Sequence, residues 1–411
     1  MTVATPRYYL GLCAIARDET PFLREWVAYH YRIGFEKIYI YDNESPVPVR
    51  ESVSEFYELG VCDTYTLRGE AMQNIAYNLC LRDHGHEFEW LAFFDLDEFL
   101  CLKYDTDARV LLRDYEAYSG LALQWDVFSS SGHIARPEGM VTLNYTQSLG
   151  YSYNGKCIVR PARVKMTVTA HHFLFHDGFA VNTKGEPALG AYSPVATDKA
   201  CLNHYSYRSQ RDFAQKLEKG DATYGANNPR RWEQFYAQAQ SPVQERTDIL
   251  PLAREVRSML EAGSPAPRYD VNLCAVQGLA LPELLAGMGR LLGLKQTELA
   301  EVLFALAYKS FSGNVEFLRL GIALCLNVHK TERALALARQ WLARAPDENA
   351  YLACFECFLA AGDRKEAQRM GAYLAKLAKL MNNAALLERV QDLARRHGAP
   401  LEPEALGRYL I

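Results

Sequence analysis

FFDLDEFL, residues 93–100, sets three carboxylates, Asp95, Asp97 and Glu98, inside a phenylalanine- and leucine-rich run that follows Trp90-Leu91-Ala92. A carboxylate carried into an apolar segment is costly unless it is paired or holds a metal ion. Side chains alternate along an extended segment, so Asp95 and Asp97 are expected on one face while Leu96 turns into the core. Two carboxylates on one face at a strand end suit a hard divalent cation such as Mg2+ or Mn2+. Such ions take oxygen ligands and share their coordination sphere with substrate phosphates. The D-x-D spacing alone has low specificity, because any acidic strand end can match it.

The upstream sequence alternates strand and helix. YYLGLCAIA (8–16) reads as a strand, and residues 16–34 as a loop and an amphipathic helix with Phe22, Trp26, Tyr29 and Ile33 at helical spacing before Gly34. KIYIYDNES (37–45) and VCDTYTL (61–67) read as strands, separated by a short helix that Gly60 closes. A helix over 70–85 then leads to a fourth strand, EWLAFFDLDEFL (89–100). This order predicts a parallel α/β sheet, in which ligands bind at the carboxyl ends of the strands. The polar clusters fall there: Arg17, Asp18 and Glu19 after the first strand, Asp42 and Asn43 after the second, Asp95 and Asp97 at the fourth.

Residues 111–210 read as a mixed β region folding back over the sheet edge, and from about 211 the pattern turns helical. The expected division is a domain over 1–250 and an α-helical domain over 251–411, with AGSPAPRYD (262–270) as a linker. In the tail, residues 324–342 align with 357–374, overlaying Ala334 on Ala367, with Pro346 closing the first unit. Helical hairpins of that period are tetratricopeptide-like, and amphipathic helices packed without a true repeat give the same pattern.

The net charge of −4 and pI near 6.2 offer no basic field for nucleic acid or anionic lipid. No long uncharged apolar run reads as a transmembrane helix, and the N-terminus is a poor signal peptide. The ten cysteines include one C-x-x-C, Cys354 and Cys357, with no second pair at zinc-site spacing. Reduced thiols and a cytoplasmic location, with possible attachment at the inner membrane periphery, are the expectation.

Two other D-x-D chemistries fit poorly. A haloacid-dehalogenase-type phosphatase carries the motif on its first strand with Thr or Val two residues after the second Asp, where this chain has Phe99. A two-metal nuclease calls for further acidic residues, a nearby lysine and a basic surface.

From Leu12 to Gly220 the chain resembles glycosyltransferase family 92 and its bacterial family-2-like relatives. CAIARDETPFLREWVAYHYRIGFEKIYIYDNES carries the family's opening loop, E-W helix and Y-D-N-x-S strand end. QNIAYNLCL, FFDLDEFL, WDVFSSSGH, KCIVRP and NHYSYRSQRDFAQKLEKG match five further blocks in order. The chain departs from the pattern at Ser129 (usually Gly), Arg208 (Lys) and Asp18 (often Asn). Arg for Lys keeps the charge and changes the hydrogen-bond geometry. The region beyond about residue 250 lies outside the resemblance.

The resemblance implies a GT-A domain, a Rossmann-like mixed sheet, followed here by an all-α domain. It implies transfer of a sugar from a nucleotide-diphosphate donor, with a UDP-sugar favoured, to a glycan, lipid-linked or protein acceptor, with inversion. Asp95, Asp97 and His204 would hold the divalent metal. Ala14, Arg17, Glu19, Asp42, Asn43, Gln73 and Asp95 would form the nucleotide pocket, with Lys156, Arg208 and Lys216 on the phosphates. Trp125 and Phe128 would offer apolar faces for a sugar. Asp126, Glu98 and His172 are the candidates for the base that deprotonates the acceptor. The C-terminal helices are expected to bind an acceptor or protein partner. The competing class is a GT-A-like half without activity, serving with its helices as a binding module.

Overall fold

The computed structural model describes residues 6–188, 193–225, 230–269 and 279–399. It divides into two compact units, Met1–Cys274 and Ala275–Ile411. The first is built on an eleven-stranded mixed sheet. Its strands in chain order are β1 (Tyr8–Ala16), β2 (Lys37–Asp42), β3 (Cys62–Thr66), β4 (Phe88–Phe93), β5 (Glu98–Leu102), β6 (Gly120–Phe128) and β7 (Gln147–Val159). A separate hairpin, β8 (Val164–Thr169) and β9 (His172–Phe175), follows. Then come β10 (Ala180–Val181), β11 (Pro187–Ala188), β12 (Ala200–His204) and β13 (Gln244–Glu245).

β1 lies at the heart of the sheet, parallel to β2 on one side and to β4 on the other, with β3 parallel outside β2. Buried from Tyr9 to Ala16, it is a continuous apolar run, as a strand covered on both faces must be. Gly11 is needed for the close approach of β4, because a Cβ there would lie 2.3 Å from the Phe88 ring. Chain order reverses between β1 and β4, so the crevice outside their carboxyl ends is the topological switch point. β7 is antiparallel to both β4 and β6, and β12 joins β6 in parallel and β5 in antiparallel. β12 therefore delivers His204 opposite Glu98.

The expectation that FFDLDEFL is one strand fails. β4 ends at Phe93, residues 94–97 turn, and Glu98 opens β5, which pairs with β12 instead of continuing β4's ladder. The turn closes through the Glu98 amide to the Asp95 carbonyl at 3.0 Å and the Asp95 amide to Glu98 Oε2 at 2.8 Å. Asp95 and Asp97 are thus presented by a turn, where strand alternation does not govern them. Helix Thr20–Arg32 buries Phe22, Trp26 and Tyr29 as its periodicity predicted. Trp26 Nε1 donates to the Glu98 carbonyl and Tyr29 Oη to the Leu100 carbonyl, tying this helix to β5.

The second unit is helical over its described residues: Leu281–Gly293, Thr297–Phe311, Val315–Asn327, Thr331–Arg344, Glu348–Ala360, Arg364–Leu380 and Ala384–Arg396. Successive helices pair as hairpins around a core that includes Phe304, Phe317, Trp341 and Phe355. Ala334 and Ala367 each lie three residues into the second helix of a hairpin, and both are buried, where a larger side chain would separate the helices. Cys354 and Cys357 are core residues of one helix. Among the described residues no helix is long and apolar enough to cross a membrane.

Candidate active site

A cleft of about 350 Å3 opens at the switch point. Arg17 and Glu19 enter it from the loop after β1, Asn43 from the end of β2, Gln73 from the start of helix Gln73–His84, and Asp95 and Asp97 from the turn after β4. Trp125 of β6, His204 of β12 and His171 from the β8–β9 turn form a second side. Helix Gln210–Lys219, started by a Ser209–Asp212 capping box, contributes Lys216 and Lys219. The segment Gly220–Tyr224 also lines the cleft and is anchored to Gln73 by two bonds: the Gln73 amide to the Ala222 carbonyl (3.1 Å) and Thr223 Oγ1 to Gln73 Oε1 (2.5 Å).

Each acidic side chain lining the cleft has a cation against it. Asp95 Oδ2 lies 3.0 Å from the ammonium of Lys156, which is fully buried, while Oδ1 accepts from Gln73 Nε2 (2.5 Å) and Tyr77 Oη (3.3 Å). Asp97 Oδ2 accepts from Lys216 Nζ at 2.5 Å, and its Oδ1 is 3.7 Å from His204 Nε2. Burial would raise the Asp97 carboxyl, but the cations beside it, Lys216 foremost and Arg208 with it, outweigh burial and hold the group well below the usual carboxylate range. Glu98 goes the other way: burial pushes it well up and the charges of Asp95 and Asp97 add to this, against Lys156. Its oxygens accept from the Trp125 indole (2.7 Å) and the Asp95 amide (2.8 Å).

The imidazole of His204 is buried and its pKa falls to about 4, chiefly through desolvation, so it is neutral near pH 7. It packs at 4.2 Å on Trp125, and its Nδ1 has no hydrogen-bond partner among the described residues. Glu19 accepts from Arg208 at 2.8 Å and from Lys219, and Lys219 also reaches the Arg17 carbonyl at 2.9 Å. Arg208 donates onward to the Leu96 carbonyl (3.0 Å), so one guanidinium ties the loop after β1 to the Asp95–Asp97 turn. It does so from a left-handed backbone, φ 50°, uncommon for a long side chain.

The sequence model of glycosyltransferase family 92 matches residues 8–246, more than half of the chain and all of the segment that builds the cleft. The chain belongs to glycosyltransferase family 92. It is 28% identical over 239 residues to a family 92 protein of Ricinus communis, covering 54% of this chain and 39% of that one. A family 92 protein of Oryza sativa subsp. japonica is 28% identical over 222 residues, with 53% and 36% covered. The chain thus spans about two fifths of the length of the curated relatives it matches. Among solved structures, S. aureus TarS 1–349 in complex with UDP aligns over 84% of this chain and 90% of that one, at 11% identity and a TM-score of 0.32.

The family 92 domain brings most of the expected residues together: Arg17, Glu19, Asn43, Gln73, Asp95, Asp97, Trp125, His204 and Lys216 all line the cleft. Several others are placed elsewhere. Ala14 is buried within β1, and Asp42 spends both oxygens on the Ser45 and Val49 amides, so neither lines it. Lys156 and Arg208 do not line it either; both are buried, paired with Asp95 and Glu19. Asp126 follows Trp125 on a strand and so faces away, accepting from Ser148 Oγ and pairing with Arg246 at 3.2 Å. Phe128 packs on Tyr205 in the core. His172 pairs with Thr169 in the β8–β9 hairpin, and its neighbour His171 is the one in the cleft. Lys219, Thr223, Tyr224 and Arg230 also line the cleft and were not singled out by sequence. The periodicity of helix Gln210–Lys219 could have found Lys219, one turn on from Lys216; the loop residues carried no such signal.

Proposed function

We propose that this chain transfers a sugar from a nucleotide-diphosphate donor, with a UDP-sugar favoured, to a hydroxyl of a glycan, lipid-linked or protein acceptor, with inversion. The observation that carries the reading is the set of cations lining the cleft at the switch point: Lys216 on the Asp97 carboxylate, with Arg17, Lys219 and Arg230. Such a set neutralises a departing diphosphate. The acidic groups among them keep the cleft from being a plain anion trap. Asn43, Gln73 and Thr223 line the side next to β2, which suits the nucleoside.

Among the described residues no three His, Cys, Asp or Glu side chains gather as a ready-made metal site, and Lys156 and Lys216 hold one oxygen each of Asp95 and Asp97, so a divalent cation would need substrate oxygens to complete its sphere. Asp97 Oδ1 and His204 Nε2 lie 3.7 Å apart, a separation two ligands of one ion can span, and His204 is in the neutral form that ligates. Asp97 and His204 would hold the ion, with Asp95 beside them and diphosphate oxygens completing the sphere. When bound it supplies Lewis-acid neutralisation of the leaving group. The chain itself does the rest. Arg208 fixes the loop after β1 against the Asp95–Asp97 turn, Lys156 and Gln73 set the Asp95 carboxylate, and Trp125, held by Glu98, gives the donor sugar an apolar face.

Calorimetric titration with UDP, GDP and CDP, with and without Mn2+ and repeated on Asp97→Ala, tests this. Manganese-dependent binding of one nucleotide that the variant loses is the expected result. Failure of all three to bind would instead favour a binding module without transferase activity.

A further inference from the structure

An inverting transfer needs a base for the acceptor hydroxyl. His171 lies between β8 and β9 and lines the cleft. Its Nδ1 is 2.7 Å from the carbonyl oxygen of Gly155. A carbonyl oxygen can only accept, so Nδ1 carries the hydrogen and Nε2 is left with the lone pair. The carbonyl is itself fixed: β7 approaches β6 so closely that a Cβ on Gly155 would lie 1.9 Å from the Leu123 carbonyl oxygen. The imidazole meets Trp125 edge-on, with centroids 5.4 Å apart at 80°, and the same Trp125 ring packs against His204. The other acidic or basic candidates are engaged. Glu98 accepts from the Trp125 indole and the Asp95 amide, Asp126 faces Ser148 and Arg246, and His172 is outside the cleft.

We propose that His171 is the general base of the transfer. Nε2 takes the acceptor's hydroxyl proton as that oxygen bonds to the anomeric carbon. The bond from that carbon to the diphosphate oxygen breaks, and the nucleoside diphosphate leaves with the bonding electrons. The assignment rests on reading the cleft as an inverting transferase site. Burial holds His171 below the usual histidine range, with Lys156 adding to the effect and the Gly155 carbonyl and Asp95 opposing it, so the ring is neutral near pH 7. Lys156 on β7 and Asp95 on the turn after β4 are the charged groups that act on it, the Cys157 thiol of β7 donates to its backbone carbonyl, and Glu98 on β5 and His204 on β12 contact the same Trp125.

The test is His171→Asn, whose side-chain amide keeps a donor for the Gly155 carbonyl and removes the base. UDP release from UDP-glucose, UDP-galactose and UDP-N-acetylglucosamine, with water as acceptor, gives the rate. The expected result is a fall in kcat of about 10^2–10^4-fold, loss of the acid limb of the kcat–pH profile, and UDP binding within about twofold of wild type. His172→Asn keeps wild-type kcat, and His171→Gln serves if the asparagine variant does not fold. Turnover that survives in His171→Asn with its acid limb intact, or a rise in KM alone, overturns the base. Product of retained configuration does the same. A wild-type chain that turns over no sugar nucleotide overturns the transferase reading and the base with it.

Discussion

The two units bury different things. Among the described residues, every buried polar or charged side chain lies between Glu19 and Gln238, while the helical core from Leu284 to Ala394 holds none. Burying polar groups costs free energy unless each finds a partner, and replacing them with apolar groups is often neutral or stabilising. The helical unit shows that this chain can build an all-apolar core. The charges gathered at the cleft therefore call for a reason other than stability, and the diphosphate donor we propose would supply one.

The sharpest way to break that contrast is to make one substitution on each side of it. Asp97→Asn should lower sugar transfer at least ~10^3-fold, about 4 kcal/mol of transition-state stabilisation. It should leave the far-ultraviolet circular dichroism unchanged. If turnover falls less than tenfold, Asp97 is a structural counter-charge to Lys216 and the contrast loses its functional meaning. Phe355→Ala, in the helical core, should do the reverse. Phe355 is fully buried, and its truncation should cost about 3–4 kcal/mol of stability. UDP affinity in the folded protein should be unchanged, as read by calorimetry below the unfolding transition. A changed UDP affinity would mean that the helical unit contributes to the site.

The difference between the units also explains what the sequence could reveal. The helices, with Ala334 and Ala367 at matched positions, were legible because packing imposes a period on the residues that touch. β1 to β4 were legible for the same reason, as apolar runs alternating with an amphipathic helix. The break after Phe93 was not, because Phe99 and Leu100 continue the apolar pattern while belonging to a strand that pairs with β12. Local pattern cannot report a partner about a hundred residues away. The same limit explains Arg208 and Lys156. Their charge was visible, but whether each meets a ligand or a carboxylate is decided by long-range contacts to Glu19 and Asp95. His171 and His172 are adjacent in sequence, and only the register of the β8–β9 hairpin separates a cleft residue from a strand residue.

Acid titration sharpens the comparison further. Burial would raise the Glu19 carboxyl, but Arg208, Lys219 and Lys216 outweigh it and bring the pKa down to about 2. A carboxyl whose pKa is lower in the folded than in the unfolded state stabilises the protein fully above the unfolded value, about 4.3. That contribution is lost as pH falls through the folded value. The Glu19 share, at most about 3 kcal/mol, should therefore disappear between about pH 4.5 and pH 2. Glu19→Gln should be less stable than wild type at pH 7 and should converge with it in that window, as followed by urea unfolding at a series of pH values. A constant difference down to pH 2 would mean that the carboxylate charge contributes nothing beyond its hydrogen bonds.

The smallest effect comes from the same pairing without burial. Arg369 and Glu366 in the helical unit lie 3.0 Å apart, much like Arg208 and Glu19 at 2.8 Å. Yet 64% and 36% of their side-chain surface is exposed, against 1% and 11%. Water screens an exposed pair, and holding two long side chains together costs entropy, so such pairs are worth about 0–1 kcal/mol. Arg369→Ala should change stability by less than about 0.5 kcal/mol, and 0.5 M NaCl should erase the difference. A loss comparable to that of Arg208→Ala would mean that distance sets the strength of these pairs; the expected inequality assigns it to burial, the property that separates the cleft from the helical surface.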